Sequence, residues 1–268
     1  MKRTVLLISI LVLIASFAIA GGQQESITDD WAYIQDKGEL IVGITIFSPM
    51  NYYDDNGELI GFETEFTEAV CEKLGITPEF VEINWDTKEI ELASKKIDAI
   101  WNGMTVTPER AEKVLFSTSY IRNMQVAVVK KANLKDYTSK DDLMGKVIAA
   151  EVGSAGEDAA RTQVSDASVI SVSKQTDALL EVKAGTVDAA ILDYTLAVSM
   201  TGSKGDYADL AIAGEDLYFA IEEYAVAFRL GSSIVPLVNE AIEELAQDGT
   251  LQAIAEKYEL ESQLLINQ

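Results

Sequence analysis

Short apolar runs alternate with amphipathic segments through the first half of the chain. Residues 40–45, 80–83 and 96–100 are compact apolar runs typical of buried strands, while residues 62–74 keep apolar side chains at helical spacing and 86–95 form a second helical segment. This β-α-β-α-β order predicts a parallel sheet flanked by helices. Ligands of such sheets bind beyond the carboxyl ends of the strands, so we expect functional residues there.

A second series of the same kind begins at residues 147–150. Residues 180–193 then repeat the helix, turn and strand of residues 90–103, and Asp188 stands where Asp98 stands in the first series. A chain of 268 residues, 48% of them apolar, is long enough for two such units with a core each. The sequence therefore predicts two α/β lobes of similar design.

One strand-to-helix turn, residues 101–110, carries an unusual cation. Thr107 is a good N-cap and Pro108 suits the first helical position, so a helix is predicted to start there and to continue toward Leu115. Arg110 opposes the dipole of that helix, and it fits best if it shares a bound anion, of which a carboxylate suits the guanidinium fork. The alternative is an ordinary surface ion pair with a neighbour such as Glu112.

The second lobe offers a tight loop and an acid at equivalent strand exits. Gly153, Ser154 and Ala155 are small enough to let main-chain N–H groups approach a ligand, although many tight loops share this composition. Asp193 directly follows an apolar run, where an unpaired charge is costly, so it needs a partner. A role as N-cap of the segment 194–200 competes with a role in ligand binding.

Composition excludes several classes of function. The net charge of −23 repels nucleic acid and anionic lipid. The chain has no histidine and a single cysteine, Cys71, within an apolar helical face, which excludes histidine-dependent hydrolytic triads and the usual zinc sites. We therefore expect neither a metal nor a cofactor, and no catalytic residue stands out.

The amino terminus has the pattern of an export signal. Lys2 and Arg3 precede an apolar run, and Ala18-Ile19-Ala20 has the small-x-small form of a cleavage site, so residues 1–20 are predicted to be a signal peptide. The run is too short for a membrane span, and Cys71 is too far from the cleavage site to carry a lipid anchor. The expected location is the periplasm.

At this point the residues resemble a known family, the periplasmic polar-amino-acid-binding proteins of ABC importers (solute-binding protein family 3). The resemblance runs from about residue 40 to residue 260, and its combination of motifs is specific where each motif alone is not. The matching motifs are Asn56-Gly57 with Gly61-Phe62-Glu63, Ile97-Asp98-Ala99-Ile100, Gly103-Met104-Thr105 with Thr107 and Arg110, Gly153-Ser154, Val187-Asp188-Ala189, and Asp248-Gly249-Thr250 with Tyr258.

The resemblance implies a two-lobe periplasmic-binding-protein type II fold, an α/β architecture in which each lobe is a mixed, mainly parallel sheet flanked by helices. Lobe 1 would comprise residues 27–128 and 224–268, and lobe 2 residues 129–223. Two hinge strands near residues 128–130 and 221–224 would join them. The implied partners are a free L-amino acid and the membrane permease of an ABC transporter, with the protein acting as a monomer.

The family pattern also implies roles for individual residues. Arg110 would hold the ligand's α-carboxylate, Thr105 and Asp193 its α-ammonium, and the Gly153 loop would add donors from the second lobe. Aromatic side chains would cover the ligand, while Trp101 is equally well placed to pack in the core. The residues expected to line the site are Phe47, Tyr52, Trp101, Asn102, Gly103, Thr105, Arg110, Gly153, Ser154, Ala155 and Asp193.

Departures from the family pattern bear on the ligand. Members that bind cationic ligands often carry an aspartate just after the glycine of the first strand, whereas Gly43 is followed here by Ile44-Thr45-Ile46. This favours a neutral polar amino acid, glutamine for example, and Ala155 removes one side-chain hydroxyl. Two alternatives share the fold: a cyclohexadienyl (prephenate or arogenate) dehydratase with Glu151 or Glu223 as proton carrier, and a sensory protein that presents its ligand to a receptor.

Overall fold

The computed structural model describes residues 29–202, 205–214 and 217–265. The predicted signal peptide, residues 1–20, lies outside these ranges. Within them, no helix is both long enough and apolar enough to cross a membrane.

Thirteen strands and nine α-helices are found in the described residues. The strands are β1 (Glu39–Ile44), β2 (Tyr52–Tyr53), β3 (Leu59–Ile60), β4 (Thr77–Glu82), β5 (Ala99–Ile100), β6 (Val114–Phe116), β7 (Ile121–Lys130), β8 (Val147–Glu151), β9 (Ser168–Val172), β10 (Ala189–Asp193), β11 (Leu210–Ile212), β12 (Tyr218–Tyr224) and β13 (Ala227–Arg229). The helices are α1 (Asp30–Lys37), α2 (Phe62–Leu74), α3 (Lys88–Ala93), α4 (Pro108–Ala111), α5 (Ala155–Gln163), α6 (Gln175–Ala184), α7 (Tyr194–Thr201), α8 (Val235–Gln247) and α9 (Thr250–Lys257).

The strands form one main sheet for each predicted lobe, and the expected two-lobe α/β architecture is confirmed. The first sheet has the order β4-β1-β5-β13-β6, and the second has the order β11-β7-β10-β8-β9 with β12 also on β7. Both sheets are mixed: β1 pairs in parallel with β4 and β5, and β8 with β9 and β10. The parallel strands therefore point their carboxyl ends toward one edge of each sheet.

The chain crosses between the sheets at a place that differs from the prediction. All of β7 belongs to the second sheet, whereas the predicted first lobe extended to residue 128. The two connections run side by side, with Tyr120 N donating to Tyr224 O at 3.0 Å and Ser117 N to Val226 O at 2.9 Å. The apolar residues 126–129 of β7 are buried and this part of the strand pairs with β10, so they lie inside the second sheet.

In both lobes an aspartate just before a strand makes the same pair of hydrogen bonds to the neighbouring strand, as the repeat in the sequence suggested. Asp98 N donates to Ile41 O at 2.7 Å, and an Asp98 carboxylate oxygen accepts from Ile41 N at 3.0 Å. In the second lobe Asp188 makes the same pair of bonds with Val147, at 2.8 and 2.9 Å. The repeat in the sequence therefore corresponds to an equivalent structure, in which each aspartate holds the start of a parallel strand.

The helix that begins at Pro108 is shorter than its spacing predicted. Helix α4 ends at Ala111, and residues 114–116 form β6, which pairs with β13 from the far end of the chain. The extension of the helix toward Leu115 was therefore wrong, because a pairing distant in sequence outweighs the local helical spacing.

A tight loop after β1 brings Phe47 toward the carboxyl edge of the first sheet. Phe47 N donates to Asn51 O at 2.7 Å and Asn51 N to Phe47 O at 2.9 Å, so the loop closes on itself. The neighbouring Gly61 has a φ of 134° and lies so close that a Cβ there would stand 2.1 Å from Met50 O. The loop conformation thus requires glycine at position 61.

We expect Gly61→Ala to lower the free energy of unfolding by roughly 3 kcal/mol or more, since the added methyl meets main-chain atoms that cannot move aside. Gly57→Ala is the matched control: Gly57 also has a positive φ, of 83°, but has open space around it, and should cost only about 1 kcal/mol. Urea unfolding of both variants measures the difference, and equal losses would show that the contact with Met50 is unimportant.

Candidate functional site

A narrow cavity lies between the carboxyl edges of the two sheets. Its wall combines cationic, acidic, amide and aromatic side chains from both lobes. The lining residues are Thr45, Phe47, Trp85, Asn102, Gly103, Thr105, Arg110, Glu151, Ser154, Ala155, Gln175 and Asp193. This is the place at which open α/β sheets bind ligands.

Arg110 enters the cavity from the first lobe. Its main-chain N–H donates to the Thr107 hydroxyl at 3.1 Å, which makes Thr107 the predicted N-cap. The guanidinium donates to Thr105 O at 2.9 Å and, across the cleft, to Gly153 O at 3.3 Å. A guanidinium has five N–H donors, so these two bonds to carbonyl oxygens leave donors for an anion.

Asp193 enters from the second lobe and is surrounded by neutral donors. Its Oδ1 accepts from Asn123 at 2.6 Å, from Gln125 at 2.8 Å and from the Tyr224 hydroxyl at 2.5 Å. Its Oδ2 accepts from Gln175. All four donors are neutral groups, so none of them compensates the charge of the carboxylate.

A second acid, Glu222, shares the amide donors of Asp193. Asn123 and Gln125 each donate to Glu222 Oε1 at 2.6 Å. Burial and the nearby charge of Asp193 raise the pKa of Glu222 well above its usual range. This raised pKa favours a proton on the pair of acids, which limits the repulsion between them.

Glu151 is a third acid and lies in the cavity wall itself. Its side chain is buried, and its Oε1 has no hydrogen-bond partner among the described residues. Burial and the charge of Asp193 raise its pKa to about 8, while Lys88 acts in the opposite direction.

Lys88 is a buried cation that sequence reasoning missed. Its Nζ donates to Trp85 O at 3.0 Å and to Gly153 O at 3.1 Å, and it lies 4.8 Å from the centre of the Trp85 ring. Burial and the nearby Arg110 lower its pKa to about 8. Because Lys88 and Arg110 both bind the Gly153 carbonyl, the two lobes are in direct contact across the cleft.

The turn at Gly103 is held from beneath by a buried glutamate. Both carboxylate oxygens of Glu63 accept from Gly103 N at 3.0 Å, and Tyr120 donates its hydroxyl to Oε1. Gly103 has a φ of 58°, and a Cβ there would stand 2.5 Å from the Phe47 ring. Glycine is therefore required where the turn meets the aromatic wall.

The structure brings most of the expected site residues together. Eight of them line the cavity: Phe47, Asn102, Gly103, Thr105, Arg110, Ser154, Ala155 and Asp193. Gly153 lies beside it and offers its carbonyl oxygen to Arg110 and Lys88.

Two expected site residues, Tyr52 and Trp101, are not among the residues that line the cavity. Tyr52 lies on the β2–β3 hairpin and faces a separate groove with Tyr258. Trp101 is fully buried in the core, with its ring edge-on to Phe66 at 5.1 Å between centroids. Of the two roles considered for Trp101, core packing matches this position.

Sequence reasoning missed Thr45, Trp85 and Gln175, and it considered Glu151 only as a proton carrier. Thr45 follows β1, Trp85 follows β4, Glu151 ends β8, and Gln175 begins the helix after β9. Each stands at a strand exit, so the rule that singled out Arg110 and Asp193 could have found them if applied to every strand.

Comparison with known proteins agrees with this geometry. Residues 40–261 match the family model of the bacterial extracellular solute-binding proteins, family 3. The chain belongs to this family. The predicted resemblance and the fold class are thereby confirmed.

Several known proteins are similar to this chain over most of its length. The L-cystine-binding protein TcyJ of Escherichia coli (strain K12) is 32% identical over 254 residues, which cover 93% of this chain and 94% of that protein. A structure described as an ancestral arginine-binding protein bound to glutamine has 36% identity and a TM-score of 0.75, covering 82% of this chain and 97% of that one. The ancestral amino acid-binding protein AncCDT-1, described as a precursor of cyclohexadienyl dehydratase, has 30% identity and a TM-score of 0.77, covering 85% and 98%.

The buried Glu63 makes the stability of the fold depend on pH. Burial raises its pKa from 4.5 to about 7, so between these values the folded state holds a proton that the unfolded chain has released. That contribution to stability is complete below about pH 4.5 and is lost as the pH rises through 7; it amounts to up to roughly 3 kcal/mol. Glu63→Gln should remove this part of the slope.

Urea unfolding at pH 5 and pH 8 measures the slope for the wild type and for Glu63→Gln. The control is Glu72→Gln, which changes an exposed glutamate on the same helix. A Glu63→Gln protein with the same pH dependence as the wild type would contradict the assignment.

Proposed function

We propose that this protein captures a free L-amino acid in the cavity between its lobes and does so without catalysis. The observation that supports this is that Arg110, from the first lobe, and Asp193, from the second, line the same cavity. A free amino acid is a zwitterion, which needs an anion receptor next to a cation receptor, both shielded from water. Arg110 suits the α-carboxylate, and Asp193, with the Thr105 hydroxyl, suits the α-ammonium.

The two receptors come from different lobes, which links binding to closure of the cleft. A ligand that contacts both lobes is held more tightly in the closed form than in the open form, and binding therefore shifts the population toward closure. The Gly153 carbonyl, bound by Arg110 and Lys88, marks where the lobes meet.

We further propose that the closed, loaded form delivers the amino acid to the permease of an ABC transporter from the periplasm, as a monomer. Membership of an extracellular solute-binding family supports this location. The two-lobe form supports the delivery step, because a permease can distinguish the closed form from the open one by the relative position of the lobes.

Two ligand classes fit this arrangement and differ in the number of their positively charged groups. The absence of an aspartate just after Gly43 supports a neutral polar ligand such as glutamine. Glutamine is also the bound ligand named in the description of one ancestral arginine-binding protein. The name of the cystine-binding relative points instead to a ligand with a second amino group.

The dehydratase alternative has one structural candidate for its proton carrier. Glu151 lies in the cavity, whereas Glu223 is exposed. Turnover of prephenate or arogenate that is lost in Glu151→Gln would establish the enzyme in place of the binding protein.

The proposed function predicts that Arg110→Ala and Asp193→Asn each weaken amino-acid binding by about 2–5 kcal/mol, because each leaves a charged end of the ligand buried without its partner. Isothermal calorimetry with a panel of the common L-amino acids and L-cystine measures the effect. Lys113→Ala is the control, since Lys113 is an exposed cation three residues from Arg110 and pairs with Glu109 at 2.8 Å.

The decisive outcomes are distinct. Absence of binding by every amino acid in the panel would refute capture of an amino acid. Unchanged affinity in one of the two site variants would remove that residue from the site while leaving the other assignment in place.

A further inference from the structure

Glu151 and Asp193 are neighbouring acids at one edge of the second sheet. Glu151 is the last residue of β8 and Asp193 the last of β10, and these strands run in parallel with Ala149 opposite Ala190. Both side chains therefore emerge at the same carboxyl edge and line the same cavity. Only 3% of Glu151 is exposed.

The two acids differ in how their oxygens are satisfied. Both carboxylate oxygens of Asp193 accept hydrogen bonds: Oδ1 from two amides and a hydroxyl, and Oδ2 from one amide. Glu151 Oε1 receives none from the described residues, although it is buried. An unsatisfied buried carboxyl oxygen costs free energy, and ionisation of Glu151 beside Asp193 would add repulsion, so the fold alone does not favour a charged acid here. A positively charged donor on the ligand would relieve both costs.

We propose that Glu151 accepts a second cationic nitrogen of the ligand, which makes the substrate class amino acids with two positively charged groups. This rests on the proposed function, since Arg110 and Asp193 hold the α-carboxylate and the α-ammonium. The second nitrogen has two sources of the same chemistry: the side chain of a basic amino acid such as arginine, or the second ammonium of L-cystine.

Glu151 changes the ligand class that the first lobe alone indicates. No aspartate stands just after Gly43 at the end of the first strand, and its absence argued against a cationic side chain on the ligand. Glu151 supplies a carboxylate from the opposite wall of the same cavity, at a strand exit of the second lobe. The charge needed for a basic ligand is thus present, at a different position.

The charged groups around Glu151 are consistent with this role. Asp193 and Asp177 oppose its ionisation, Lys88 favours it, and Gln175 stands beside it as a neutral donor. Lys88 itself is held by the carbonyl oxygens of Trp85 and Gly153. With burial and Asp193 raising its pKa to about 8, Glu151 is mostly neutral at pH 7 without a cation, and a cationic ligand would draw its proton off.

Calorimetry with L-arginine, L-cystine and L-glutamine tests the assignment on the full mature chain. The wild type should bind arginine or cystine more tightly than glutamine, and the tighter of the two identifies the source of the nitrogen. Glu151→Gln should weaken that ligand by at least about 30-fold, the lower limit for losing one partner of a buried charge pair. Its affinity for glutamine should change less than about threefold.

Glu223→Gln is the matched control, because it removes one exposed negative charge from the second lobe and should leave all three affinities unchanged. Tighter binding of glutamine by the wild type, or an equal loss for all three ligands in Glu151→Gln, would overturn the role of Glu151 and leave amino-acid capture intact. Failure of all three ligands and of the wider amino-acid panel would refute both proposals together.

Discussion

Arg110 and Asp193 carry opposite charges into one buried cavity, yet each is held by neutral groups of the protein. Arg110 donates to carbonyl oxygens, and Asp193 accepts from amides and a phenol. Burying a charge in this way is costly unless a counter-charge arrives. Both groups line the same cavity, and the buried Glu63 holds the Gly103 turn in its wall.

The basic and acidic side chains at the cleft come from different lobes. The first lobe contributes the cations Arg110 and Lys88, and the second contributes Glu151, Asp193 and Glu222. Basic groups of the first lobe and acidic groups of the second therefore meet at the cleft, in a protein whose net charge of −23 would otherwise disfavour anions. A ligand with both signs of charge matches this division, and one with a second positive group matches the surplus of acids on the second lobe.

Sequence reasoning reached the parts of the site that obey a local rule. Arg110 could be predicted because it opposes the dipole of its own helix, and Asp193 because it directly follows a buried strand. The family pattern implies a place for Tyr52 at the ligand, but its hairpin turns it toward a different groove. The early end of the helix at Ala111 depends on pairing between β6 and β13, more than a hundred residues apart, which no local pattern contains.

Glu151 illustrates a different limit. Its position at a strand exit was visible in the sequence, but its burial and the lack of a hydrogen-bond partner for Oε1 depend on how the rest of the chain packs around it. The sequence also gave no sign that Lys88 is buried beside Trp85, since a lysine at a helix start is normally solvated. Both residues become informative only when their neighbours are known.

The most direct test of the central claim is a crystal structure of the protein with its bound amino acid. The account predicts the α-carboxylate within hydrogen-bond distance of the Arg110 guanidinium and the α-ammonium within hydrogen-bond distance of Asp193, with the lobes closed around both. A ligand bound in the reverse orientation, or at a site without Arg110 and Asp193, would contradict it.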